Sequence, residues 1–159
     1  MNTNVKRLRK ELQELRRNPE SDMVLYPQED TIINWKAFIK GPQDTPFYDA
    51  VFELAIQTTS LYPMEPPKMK FITRIFHPNV HFKDGNICLD ILKKEWSPAW
   101  TLRAACLAVT SLLSDPAADS PLNCDAGNMI RANDMIAYNS MAEMYAKEFG
   151  LSRLPDTPY

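Results

Sequence analysis

The spacing between apolar residues changes character three times along this chain, and that order restricts the fold more than any single motif does. Val5, Leu8, Leu12 and Leu15 recur at helical spacing with charges between them until Asn18-Pro19 stops the pattern, which predicts an amphipathic helix over residues 4–17. Ile33, Trp35, Ala37 and Ile39 then alternate with Asn34, Lys36, Phe38 and Lys40, a strand pattern closed by Gly41-Pro42. A second alternating run over 50–57 puts Phe52, Leu54 and Ile56 on one face, and a short third covers 68–72. Strands this close in sequence pair most simply as an antiparallel meander. From Thr73 to Trp100 no period is evident, and a stretch of that length inside a compact domain is usually functional. Helical spacing returns with Leu102, Ala105, Cys106, Val109, Leu112 and Leu113 and ends before Asp115-Pro116. Two further helices are predicted over 123–132 and 134–149, the last with Tyr138, Met141, Ala142, Tyr145 and Phe149 along one stripe. Helix, strands, long loop, helices reads as one α+β domain over residues 1–149, with 150–159 as a short tail.

Composition narrows the function classes. Thirteen prolines against four glycines imply many fixed turns and leave no glycine-rich loop of the kind that cradles phosphate. The formal charge is only −2 and no long basic run occurs, so nucleic acid is not an expected partner. No apolar run reaches the roughly 20 residues of a membrane span, so direct insertion is not expected either. The one basic cluster, Lys6, Arg7, Arg9 and Lys10 with Arg16 and Arg17, fits a solvated helix face or a docking site. Three widely spaced cysteines, Cys88, Cys106 and Cys124, suit a reducing compartment and a single reactive thiol better than a disulfide framework.

Cys88 lies in the aperiodic region between Gly85-Asn86-Ile87 and Leu89-Asp90, where a partner could reach it, whereas Cys106 falls on the apolar stripe of a helix. A buried small hydrophobe remains an equally fair reading of an isolated cysteine. His77 and His81 are too poorly placed for a metal pair, because Pro78 breaks the helix that would align them. His77 could serve Cys88 as a base or hold the loop through backbone hydrogen bonds.

Gly41-Pro42, Tyr62-Pro63-Met64-Glu65-Pro66-Pro67, His77-Pro78-Asn79, Gly85-Asn86-Ile87-Cys88-Leu89-Asp90-Ile91-Leu92, Trp96-Ser97-Pro98-Ala99 and Leu112-Leu113-Ser114-Asp115-Pro116 together resemble the ubiquitin-conjugating enzymes in order and spacing, over residues 4–149. The resemblance implies their fold, a four-stranded antiparallel meander flanked by an N-terminal helix and C-terminal helices, with Asp22 to Pro27 as the missing strand. It implies that Cys88 accepts ubiquitin from the activating enzyme by transthiolation and offers the thioester to an acceptor, with no cofactor on this chain. Asn79 would donate to the oxyanion formed on attack, or brace the loop. Where many relatives carry an aspartate that assists an incoming lysine, this chain has Ser120 preceded by Asp119, which favours a thiol acceptor relative to a lysine.

Partner surfaces carry over in the same way. Lys6, Arg7 and Arg9 resemble the site that meets the activating enzyme, and Met64 with Ser97, Pro98 and Ala99 resembles the two loops that bind RING ligases. The segment from Pro121 to Asn128, with Ala137 to Ala142, is similar to the fungal peroxisomal members of the family. Those modify the recycling import receptor, often on cysteine, and are held on the cytosolic face of the peroxisome by a membrane-anchored peroxin. For such an anchor the last helix offers Tyr138, Met141 and Tyr145. Two other readings of the same fold stay open: an enzyme for another pathway or a ubiquitin-like modifier, and a non-catalytic ubiquitin-binding scaffold.

Overall fold

The computed structural model describes residues 2–159; Met1, the first residue of the expected domain, and the side chains of Leu89 and Ile91 lie outside that description. A first helix, α1 (Thr3–Arg17), is followed by four strands, β1 (Met23–Gln28), β2 (Thr31–Lys40), β3 (Val51–Gln57) and β4 (Lys68–Phe71). The helices α2 (Leu89–Glu95), α3 (Leu102–Ser114), α4 (Cys124–Arg131) and α5 (Met135–Phe149) complete the chain. The strands form one antiparallel sheet in the order β1-β2-β3-β4, with Ala37 opposite Leu25 and Leu54, and Leu54 opposite Phe71.

Strand alternation divides the two faces of the sheet. Leu25, Trp35, Ala37, Ile39, Phe52, Leu54 and Ile56 are buried on the inner side, where α1 and α3 cover β2. Val24, Phe38 and Val51 form a smaller cluster of their own, packed by Tyr26 and by Leu154 of the tail. The tail is therefore ordered against the sheet. Leu151 exchanges both backbone hydrogen bonds with Val51, and the Tyr159 hydroxyl donates to the Leu25 carbonyl at 2.9 Å.

Three expectations need correction. The buried stripe of α1 is Asn4, Leu8, Glu11 and Leu15, while Val5 and Leu12 flank it half-buried. Polar residues occupy the stripe because the fold supplies partners there, the Thr59 carbonyl for Asn4 and Tyr62, Arg7 and the Leu102 amide for Glu11, which apolar periodicity does not register. The aperiodic region contains α2, too short to show a period and starting directly after Cys88. The buried stripe of α5 is Tyr138, Ala142 and Ala146. Tyr138 is only 2 % exposed and its ring lies 6.3 Å from that of Phe76, so it belongs to the core and not to a partner surface.

Candidate active site

Cys88 is placed by a hairpin built on the edge of the sheet. Val80 bridges Ile87, the His81 amide donates to the Asn86 carbonyl, and the Cys88 amide donates to the Asn79 carbonyl at 3.1 Å. Asn79 and Cys88 thus face one another across the base of the hairpin. At its turn Gly85 has φ +78°, and a Cβ there would run into the Phe71 carbonyl oxygen, so the turn needs glycine both for its dihedral and for its space. The Gly85 carbonyl accepts from the Phe71 amide, and Lys70 bridges Asn86, which stitches the hairpin to β4. Phe82 packs edge-on to Tyr145 of α5 at 5.1 Å, and the Arg74 guanidinium lies over the rings of Phe82 and Phe149.

The residues around Cys88 are tied to the loop before α4. Asn79 is 2 % exposed, and its side-chain amide pairs with the backbone of Ala117: Nδ2 donates to the carbonyl at 2.6 Å and Oδ1 accepts from the amide at 2.9 Å. The Pro78 carbonyl accepts from the amides of Leu122 and Asn123. Asp119 and Ser120 lie exposed on the loop so held, Ser120 with φ +56°. His77 is fully buried, its Nε2 donating to the Leu112 carbonyl at 2.9 Å and its Nδ1 accepting from the Asn79 amide at 3.1 Å. Desolvation lowers its pKa to about 4, partly offset by the Leu112 carbonyl. A neutral imidazole with both nitrogens engaged braces the motif and has no free nitrogen to act as a base.

The three thiols differ in access. Cys106 is fully buried and desolvation pushes its pKa up to about 12, so it is inert. Cys88 is partly exposed and Cys124, the first residue of α4, is exposed. Access alone therefore does not single out Cys88, as the loop argument supposed; its position opposite Asn79 does. His81 faces Asp84, its Nδ1 3.2 Å from Oδ1, and among the described residues no cluster of His, Cys, Asp and Glu is arranged to hold a metal.

The two loops expected to meet a ligase stand together. The Trp96 indole donates to the Pro63 carbonyl at 2.9 Å and its ring lies 5.8 Å from that of Tyr62. Met64 is 72 % exposed at the tip of the first loop, and Pro98 and Ala99 are exposed at the tip of the second. Arg7 is not offered to a partner as expected: Nη1 and Nη2 donate to the carbonyls of Pro98 and Trp100, and Nε pairs with Glu11. Lys6 and Arg9 remain exposed on α1. Glu11, central to this corner, was not singled out from sequence, and Trp96 entered only as part of a quoted motif; a glutamate in helical register with Leu8 and Leu15 is the one signal that marks Glu11.

A family-wide profile described as "Ubiquitin-conjugating enzyme" matches residues 7–146. The chain belongs to the ubiquitin-conjugating enzyme family. It is 50 % identical over 143 residues to Protein PEROXIN-4 of Arabidopsis thaliana, covering 89 % of this chain and 91 % of that one. It is also 50 % identical to the ubiquitin-conjugating enzyme E2 pex4 of Dictyostelium discoideum, over 91 % of this chain and 97 % of that one. Among solved structures, H. polymorpha Pex4p, crystallised with the soluble domain of Pex22p, superposes with a TM-score of 0.87 at 35 % identity, covering 92 % of this chain and 98 % of that one. The ubiquitin-conjugating fold is thus established, and with it the reaction class: the enzyme carries ubiquitin, received from an activating enzyme, as a thioester. Among the described residues no helix is long and apolar enough to cross a membrane.

Proposed function

We propose that the enzyme carries ubiquitin on Cys88 and passes it, with a RING ligase, to a peroxisomal import receptor during that receptor's recycling. The observation that carries the site is the hairpin that sets a partly exposed Cys88 opposite Asn79. The Cys88 thiolate attacks the thioester carbonyl of ubiquitin on the activating enzyme and expels that enzyme's cysteine thiolate. In discharge an acceptor amine or thiol attacks the same carbonyl and gives up its proton to solvent, the charge passes through a tetrahedral oxyanion, and the Cys88 thiolate leaves. Asn79 holds the loop carrying Asp119 and Ser120, and its second Nδ2–H is the donor left for the oxyanion. Charging with ubiquitin should give a thiol-labile band that Cys88→Ala abolishes, and normal charging of Cys88→Ala would refute the assignment. Asn79→Ala should leave charging largely intact and slow single-turnover discharge about 10²-fold; equal discharge rates would reduce Asn79 to the brace alone.

The peroxisomal placement is supported by the likeness to peroxin-4 proteins, which extends beyond fungi to a plant and a slime mould. A membrane-anchored partner holds the chain at the cytosolic face of the peroxisome, docking on α5. The residues available there are Ile136, Met144 and Phe149, all exposed, with Met141 and Tyr145 half-buried beside them. Fluorescently tagged protein should lie on peroxisomes and become diffuse with Ile136→Asp plus Met144→Asp while charging in vitro persists. Diffuse wild-type protein in cells with intact peroxisomes would remove the placement.

A further inference from the structure

One buried carboxylate joins the two exposed loops from beneath. Glu11 is 6 % exposed and accepts three hydrogen bonds: from the Tyr62 hydroxyl at 2.5 Å, from the Leu102 amide at 2.7 Å and from Arg7 Nε at 3.2 Å. Tyr62 opens the segment that carries Met64. Leu102 ends the segment that carries Pro98 and Ala99, and Arg7 holds the Pro98 and Trp100 carbonyls of that same segment. Desolvation raises the pKa of Glu11, while Tyr62, Leu102 and Arg7 all favour its ionised form. Such a hub contributes little to a fold unless it is fully satisfied, and here every oxygen has a donor.

We propose that Glu11 is the positioning residue of the ligase-docking surface: through Tyr62, Arg7 and the Leu102 amide it fixes the spacing between the Met64 and Ala99 tips. The inference rests on the reading of those loops as a ligase site. A rigid base matters because loops that must be ordered on docking lose affinity for every side chain immobilised. Neither Glu11 nor Tyr62 need touch the ligase or the thioester.

Glu11→Gln isolates this role, since it keeps the size of the side chain and removes the match. A glutamine that accepts from the Leu102 amide turns its own N–H groups toward Arg7, and the opposite orientation opposes N–H to N–H at Leu102. Either way one buried donor is left without an acceptor. Arg7→Lys loses the fork that reaches two carbonyls and a carboxylate at once. Discharge of preformed ubiquitin thioester is followed while titrating a purified RING domain that accelerates the wild-type reaction, so that contacts with the activating enzyme play no part. We expect Glu11→Gln, Tyr62→Phe and Arg7→Lys each to raise the half-saturating RING concentration, Glu11→Gln by about tenfold. Maximal stimulated rate and unstimulated discharge should stay unchanged. Hydrogen exchange should quicken at the amides of Met64 and Trp100, which bond within the two loops, and stay constant at Cys88. Met64→Asp is the control: if it abolishes stimulation while Glu11→Gln and Tyr62→Phe leave half-saturation unchanged, the positioning role is overturned and the ligase reading stands. If Met64→Asp has no effect, both fall. A parallel loss of unstimulated discharge and thermal stability, with half-saturation unmoved, would make Glu11 a folding residue only and overturn the proposal.

Discussion

His77 carries no charge in the folded enzyme, and this has a measurable sign. Its folded pKa of about 4 lies below the ordinary 6.5, so between those values the unfolded chain binds the extra proton. The contribution is fully present above about pH 6.5 and is lost as the pH falls toward 4, amounting to about 3 kcal/mol for a group this buried. Urea midpoints of wild type and His77→Asn, measured from pH 7 to pH 4, should converge on acidification; a constant difference would mean that His77 is not neutral in the fold. Sequence marked His77, Asn79 and Cys88 because the residue types and their order resemble a family motif. Their partners were not legible: Leu112 and Ala117 lie 35 and 38 residues away and contribute only backbone atoms, which carry no side-chain signature. The same holds for Arg7, whose acceptors are carbonyls more than 90 residues on.

At the scale of elements, the hairpin over 79–88 is the piece on which the site depends. Gly85→Ala forces a Cβ against the Phe71 carbonyl at a left-handed dihedral, which costs at least about 1–2 kcal/mol before the clash is relieved. The variant should unfold at lower urea and discharge more slowly, because the displaced turn pulls the Asn79 and Cys88 pairing apart. Unaltered discharge with reduced stability would show that the hairpin base is independent of its turn. Three of the strands, β2, β3 and β4, and most helices were legible from period alone, since each has one buried face of simple composition. The strand β1 came only from the family resemblance, because its first three residues, Met23, Val24 and Leu25, are all buried and no alternation shows. Two further elements resisted for opposite reasons. In α2, seven residues hold too few turns to display a period. In α1 the period was clear but the buried face was misread, because Glu11 and Asn4 occupy it as hydrogen-bonded groups that binary patterning assigns to solvent.

Over the whole molecule, the last nine residues close what the meander leaves open. As an outer strand of the sheet, β1 presents backbone groups to any passing strand, and Tyr159 occupies one of them while its ring lies 5.7 Å from the Arg16 guanidinium of α1. Leu154 covers Val24, Phe38 and Val51 on the way. Removing residues 151–159 should therefore lower stability by about 2 kcal/mol and promote self-association; an unchanged urea midpoint and monodisperse light scattering would show that the tail is dispensable. The three thiols, finally, are distributed so that a dye can count them. A maleimide reagent should modify Cys88 and Cys124 and spare Cys106, which is fully buried on α3. Cys124→Ser keeps the Asn123 cap of α4, whose Oδ1 accepts from the Ala126 amide. It leaves a single reportable sulfur, at Cys88. Intact mass should then show one adduct on the free enzyme and none on the ubiquitin-charged form, which turns a fluorophore into a direct readout of how much of the enzyme is loaded at any moment.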